Sequence, residues 1–364
     1  MHKGAFPTLD AAARRAMLRH PGARVRLVID TDAANEIDDQ FALAWALLSR
    51  DRLQIEGIYA APYSFGIYRN DLLRTSDLIE ANAPLPDDLR YFGGWVRALL
   101  AQGRHPRDLH FVGPAEGMEA SYQEILKVGD LMGQDLRPIT RRGAPRFLTS
   151  LDEPVESDAV HHLIERAMAP AESPLHVAAI GVLTNVASAL LIEPRIAERI
   201  VVSWTAGYPT SLDLDNHSFN MEQDMLASKL LFDCGVPVVY HPGFYVGAQL
   251  KISLPEMEAW VRGRGAIGDY LYHLYTHNPL FDQRGIVGFD GRTWVIWDLV
   301  NFAWLLDETW MPTHVRPAPR LGDDRRWHRD GAPGHEILET FEVARDAIFR
   351  DFLTKLDAFA KRAI

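Results

Sequence analysis

The 364-residue chain is 47% hydrophobic with a formal net charge of -11. That is apolar matter enough for one large α/β core or two smaller ones, and the wrong sign for a protein that grips a nucleic-acid backbone. Its one cysteine, Cys234, excludes an intrachain disulfide and a thiolate metal centre. Set in the apolar run Leu230-Leu231-Phe232-Asp233-Cys234, it reads as a small packed residue.

Residues 1–23 lack a long apolar stretch and read as a short amphipathic helix. Neither a signal peptide nor a membrane span is expected, and a cytoplasmic setting is. The β-branched run Arg26-Leu27-Val28-Ile29 ends in Asp30 without alternation, which predicts a strand buried on both faces. Phe41, Ala44, Trp45, Leu47 and Leu48 recur at helical spacing, and a second strand is expected over 53–60. Strand, helix, strand implies a parallel sheet. The stretch 65–113 breaks the alternation and is expected to be an insertion over the site or a docking element. Met118, Tyr122, Ile125, Leu126 and Met132 then mark a helix. Strands follow over 175–180, 200–204 and 236–240. Helices are expected from Thr184 and over 224–232, the latter closed by Gly235. A tail over 316–334, rich in Pro, Gly and Arg, reads as loop or hairpin, and an amphipathic helix follows over 344–361. The expectation is a single large doubly wound, mostly parallel α/β sheet flanked by helices across 1–364. Ligands in such sheets bind at the carboxyl ends of the strands, where Asp30, Ile180 and Gly207 fall.

The segment Asp30-Thr31-Asp32-Ala33-Ala34-Asn35-Glu36-Ile37-Asp38-Asp39 holds five carboxylates in ten residues, where a strand hands over to a helix. Such crowding is costly unless a cation or hydrogen-bond donors compensate it. Oxygen-only ligands suit a hard cation, calcium or magnesium, and a helix N-terminus favours anions at Asp38 and Asp39. The bland reading is a capped helix with a solvated acidic turn. An EF-hand loop fits poorly, because Ala34 occupies a ligand position and the central Gly is missing. A phosphatase that begins Asp-x-Asp wants Thr or Val where Ala34 stands, and Asp-x-Asp glycosyltransferases lack the following Asp-Asp.

Asp-Thr-Asp followed by Ile-Asp-Asp resembles the N-terminal signature of the inosine-uridine nucleoside hydrolases, in a divergent form lengthened by two residues. Ile180-Gly181-Val182-Leu183-Thr184-Asn185 resembles that family's Gly-Pro-Leu-Thr-Asn turn. Phe219-Asn220, ahead of Asp224, resembles its Glu-Phe-Asn segment, and Trp297-Asp298 its His-Asp pair. The resemblance implies calcium held by Asp32, Asp39, Asp298 and the Ile180 main-chain carbonyl, with Asp39 gripping through both oxygens. Water and substrate diol oxygens would complete a coordination of about eight. It further implies Asp32 as the general base, Asp38 and Asn220 on the ribose hydroxyls, and a homo-oligomer.

The chain departs from the family at Ser218, which replaces a ribose-binding Glu, and at Trp297, which cannot supply a titratable proton but could stack on a base or pack in the core. Asn35, Asn216 and Ser218 are further candidates for substrate contact, as are Glu36, Tyr63 and His217. Arg104, His105, Arg107, Arg141-Arg142 and Arg325-Arg326 read as solvated charge. The function expected is a calcium-dependent N-ribohydrolase acting on a nucleoside or related N-riboside, with no nucleic-acid or membrane partner. The alternatives are a calcium-dependent glycosidase on another sugar conjugate and a catalytically silent nucleoside or sugar binder.

Overall fold

The structure, a computed structural model, describes residues 6–22, 24–287 and 293–362. Of the N-terminal helix expected over 1–23, residues 1–5 and 23 lie outside the described residues, and α1 is Ala11–Met17. Five strands fall where apolar runs predict them, with ends moved by a residue or two: β1 Val25–Thr31, β2 Leu53–Ala60, β4 Leu175–Ala179, β5 Ile200–Ala206 and β6 Val238–Pro242. Between β2 and β4 lies the short edge strand β3, Thr140–Arg142. Late in the chain come β7 (Lys251–Ser253), β8 (Thr293–Val295), β9 (Thr313–Pro317), β10 (Arg320–Leu321), β11 (Trp327–His328) and β12 (Glu336–Thr340).

The main sheet has eight strands in the order β3-β2-β1-β4-β5-β6-β12-β9. Every pairing is parallel except β12 with β9, which closes one edge antiparallel. The inner strands are apolar throughout because both faces are covered: all of β4 and β5 is buried. In β1, Leu27 and Ile29 enter one core and Val28 the other. The first core is built on α2 (Asp38–Leu48), α5 (Pro114–Leu131), α13 (Leu299–Leu306) and α14 (Arg345–Arg362). The second is built on α6 (Asp158–Met168), α7 (Thr184–Ile192) and α9 (Met225–Asp233). This is a large mixed, mostly parallel sheet with helices on both faces.

The position of the site follows from that winding. Adjacent β1 and β4 run parallel, with Asp30 level with Ala179. The chain leaving β1 turns into α2 on one face, and the chain leaving β4 turns into α7 on the other. The crevice between these diverging loops is the switch point at which ligands bind in open α/β sheets.

The stretch 65–113 is helical, with α3 (Arg69–Glu80) and α4 (Arg90–Leu100). It gathers a third apolar cluster that includes Tyr68, Leu72, Phe92 and Trp95. Leu280 of α12 (Pro279–Arg284) joins that cluster, and Phe219 packs against it. The stacked rings of Phe65 and Phe219, 4.2 Å apart, tie this unit to the crevice. Cys234 is buried, and burial pushes its thiol up to about 12, so it behaves as a packing residue. No helix among the described residues is long and apolar enough to cross a membrane.

Candidate active site

A cavity of about 340 Å³ opens at the switch point. Asn35, Glu36, Asp38, Asp39, Ile180, Ser218, Asn220, Trp297 and Asp298 all line it. The structure thus brings together residues from four sequence segments separated by more than a hundred positions at the widest.

Asp38 and Asp39 open α2, where the helix macrodipole favours their charge. Thr31 Oγ1, at the end of β1, donates to Asp39 Oδ1 at 2.5 Å. Asp298 stands at the N-cap of α13 without capping it, so its carboxylate faces the crevice instead. One oxygen each of Asp38, Asp39 and Asp298 lie within 4.8 Å of one another. Oxygens that share one calcium at 2.3–2.6 Å must be within about 5 Å of each other, so these three can do so. All three carboxyls are pushed well above the usual carboxylate range by burial, and then by neighbouring carboxylates: Glu36 and Asp39 act on Asp38, Asp32 and Glu36 on Asp39, and Asp38, Asp39 and Asp32 on Asp298.

Asp32 sits beside this trio, fully buried. Burial first, and the neighbouring Asp38 charge, push its carboxyl up to about 8. Asn35 and Gln223 lie close enough to favour the charged form, yet neither aligns as a hydrogen bond, and both Asp32 oxygens lack a partner among the described residues. A buried carboxylate without donors costs free energy until a cation or a water satisfies it. Mutually repelling, oxygen-only ligands and an orphaned neighbour form a donor set that fits a hard divalent cation.

Gly181 presses against Asp32 from the β4 side. A Cβ there would lie 2.7 Å from both Asp32 Cγ and Oδ1. Gly181→Ala is therefore expected to displace the carboxylate and to destabilise the protein by about 1–3 kcal/mol. Urea denaturation followed by circular dichroism reads this directly, and a midpoint equal to that of the unmodified chain would show that Asp32 moves freely.

Asn220 Nδ2 donates to the main-chain carbonyls of Ile180 and Thr205, each at 3.1 Å. The Ile180 oxygen keeps one lone pair for another partner, and Asn220 positions that carbonyl as much as it lines the cavity. Asn185 Nδ2 donates to Asp30 Oδ1 at 2.8 Å, and its Oδ1 accepts from Ala144 N at 2.8 Å. Asp30, raised to about 7 by burial, is thereby tied to the scaffold rather than to the carboxylate trio. Thr184 Oγ1 donates to Asp224, which also accepts from Leu148 N and caps α9. The Thr-Asn turn is a clamp between strands and helices.

Three expectations change. Asn216 lies behind the wall, fully buried, with Oδ1 accepting from Tyr208 N at 2.6 Å and Nδ2 donating to the Arg325 carbonyl at 2.6 Å. It shapes the turn at Gly207, and its polar atoms are occupied by backbone. Arg325 is not plain solvated charge: it is half-buried, bidentate to Asp215 at 2.7 Å, and 3.3 Å from Glu222. That cluster holds His217, which stacks on Tyr91 at 4.7 Å. Tyr63 is buried against Gly117, away from the cavity lining. Arg104 pairs with Asp282, Arg142 with Glu119, and Arg107 with His105.

Among the lining residues that carried no signal in the sequence are the large side chains Tyr91, Arg284, Trp294 and Phe244. Trp294 Nε1, from β8 where it pairs antiparallel with β7, donates to Glu36 Oε1 at 2.9 Å and so holds the lengthened acidic turn. Phe244 meets Trp297 edge to face at 6.1 Å. Each arrives from an element whose local pattern is ordinary.

Comparison with known proteins agrees with this geometry. The family model for inosine-uridine preferring nucleoside hydrolase matches residues 27–343. Among solved structures, a purine-preferring ribonucleoside hydrolase from Gardnerella vaginalis is similar at 17% identity and a TM-score of 0.59, with 92% of this chain and 99% of that one covered. An inosine-uridine preferring nucleoside hydrolase from Bacillus anthracis is similar at 18% identity and a TM-score of 0.57, with 92% and 99% covered. An inosine-guanosine nucleoside hydrolase gives 17% and 0.58, with 93% and 99% covered. A search of curated proteins finds no match. The likeness to these structures shows the fold, and the family model spans most of the chain: the protein belongs to the inosine-uridine preferring nucleoside hydrolase family and is a hydrolase acting on N-glycosyl bonds.

Proposed function

We propose that the protein is a calcium-dependent N-ribohydrolase that cleaves a nucleoside or related N-riboside to ribose and free base. The observation that carries this is the orphaned, fully buried Asp32 carboxylate beside the Asp38, Asp39 and Asp298 trio. Asp39 and Asp298, with the Ile180 carbonyl, would hold the cation. Asp38 shares the oxygen cluster and so stands between metal and sugar. Calcium, when bound, polarises the attacking water and lowers its pKa.

The rest is the work of side chains. Asp32, whose oxygens have no aligned hydrogen-bond partner among the described residues, takes the proton from the water as general base. Cleavage develops positive charge on the sugar ring, and the carboxylates lining the crevice stabilise it in a buried setting where such fields are strong. Asn35, Ser218 and Asn220 offer short polar groups to the sugar hydroxyls. Trp297 and Phe244 present an aromatic corner for the leaving base. The same reading places the enzyme in the cytoplasm as a homo-oligomer, which the family resemblance supports.

The test is release of reducing sugar from a panel of ribonucleosides and deoxyribonucleosides, with calcium and with EDTA. Calcium-dependent release of ribose is the expected result. Release that EDTA leaves untouched would remove the metal from the mechanism. Tight nucleoside binding without release would make the protein a silent binder.

A further inference from the structure

Arg284 is the arginine of the cavity wall. Several partly buried arginines of the fold meet carboxylates: Arg26 with Glu56, Arg325 with Asp215, Arg345 with Glu256. Arg284 does not. Among the described residues it has no carboxylate within ion-pair distance, and its buried Nε has no hydrogen-bond partner. Its guanidinium is held instead by aromatic faces, 5.3 Å from the Trp95 ring and 6.0 Å from the Phe65 ring. Glu36, the acidic group of the wall that feels its charge, is bonded to Trp294. On a guanidinium oriented by two rings, the Nε has lost hydration without gaining a partner, and, among the described residues, the remaining donors are free for a ligand.

We infer that Arg284 receives an oxyanion carried by the substrate, so that the preferred substrate is an anionic N-riboside rather than a neutral nucleoside. This rests on the proposed ribohydrolase reading. A planar fork of N–H donors suits phosphoryl and carboxylate oxygens alike. Room for such a substituent exists: a second cavity of about 420 Å³ shares Tyr91 and Arg284 with the first. Arg284 therefore stands at the junction, with the carboxylate trio on one side and open volume on the other. The anion has two chemical sources, a phosphate on the sugar or a carboxylate on the base.

The experiment is calorimetric titration of the calcium-loaded full chain with ribose and with ribose 5-phosphate, beside hydrolysis of uridine, uridine 5′-phosphate and orotidine. It is repeated on Arg284→Gln and Arg284→Lys. Hydrogen bonds to a charged group predict about a ten- to hundredfold preference for the anionic ligand. That preference should collapse toward one in Arg284→Gln and survive in part in Arg284→Lys. A preference for ribose 5-phosphate and uridine 5′-phosphate assigns the anion to the sugar. A preference confined to orotidine assigns it to the base. Hydrolysis of uridine with no advantage for either anion overturns the inference and leaves the ribohydrolase reading standing. An anion preference that Arg284→Gln leaves intact also overturns it. If no ligand binds and none is hydrolysed, both readings fall.

Discussion

Replacing Asp32 by Asn is expected to lower kcat on the best ribonucleoside by about 10²–10⁴-fold, the usual contribution of a positioned general base. The isosteric amide keeps the packing against Gly181 but cannot accept the proton of water. The structure sets Asp32 beside the Asp38, Asp39 and Asp298 trio rather than within it. Stabilisation by calcium should therefore survive in Asp32→Asn to a larger extent than in Asp39→Asn, which removes a member of the trio and its bond from Thr31. Steady-state kinetics and thermal denaturation on the same two variants separate the roles. If Asp32→Asn erases calcium stabilisation as completely as Asp39→Asn, then Asp32 is chiefly a ligand. If its kcat stays within a few-fold of the unmodified enzyme, another group is the base.

Added calcium and rising pH are expected to shift the stability of this protein in opposite directions. Burial raises Asp30 to about 7 and Asp32 to about 8 in the folded, metal-free chain. The unfolded chain releases the same protons near 4. Between about pH 4 and pH 8 the folded state thus binds more protons than the unfolded one, and stability falls as pH rises, by about 1.4 kcal/mol per pH unit for each such group. The trio adds in the same direction, since all three carboxyls are raised. Bound calcium needs these groups ionised, so its stabilisation grows over the same window. At about a thousand times its Kd it contributes about 4 kcal/mol. Melting curves in EDTA should therefore show a Tm that declines from pH 5 to pH 8, while excess calcium restores it most at pH 8. A Tm at pH 8 that is indifferent to both EDTA and calcium would mean that no cation occupies the trio.

Much of the fold is legible in the chain because its parallel strands are buried on both faces. The apolar runs at β1, β4, β5 and β6 need no partner to be recognised, and the helix between β1 and β2 shows its spacing at Phe41, Ala44 and Trp45. The short strands are not legible. β3 is Thr140-Arg141-Arg142, a polar edge whose arginines turn outward to Glu119 and to backbone carbonyls. β9 and β12 are amphipathic segments whose pairing is decided by the strands beside them.

The same division runs through the site. The crowded carboxylates from Asp30 to Asp39, the Ile180-Gly181 turn, Asn220 and Asp298 stand at the ends of strands and helices, where local sequence alone marks a chemical purpose. Which of them meet is a tertiary matter. The family resemblance implies Asp38 on the sugar and Asp32 on both the metal and the water, while only the packing of α2 against α13 shows that Asp38, Asp39 and Asp298 gather their oxygens with Asp32 beside them. Asn216 looks like a ligand in a polar loop until Tyr208 and Arg325 occupy both ends of its amide. Tyr91, Arg284 and Trp294 carry no motif at all. They reach the cavity because α4, α12 and the β7–β8 strand pair fold over the crevice from distant parts of the chain, and a contact made across such distances has no local periodicity to announce it.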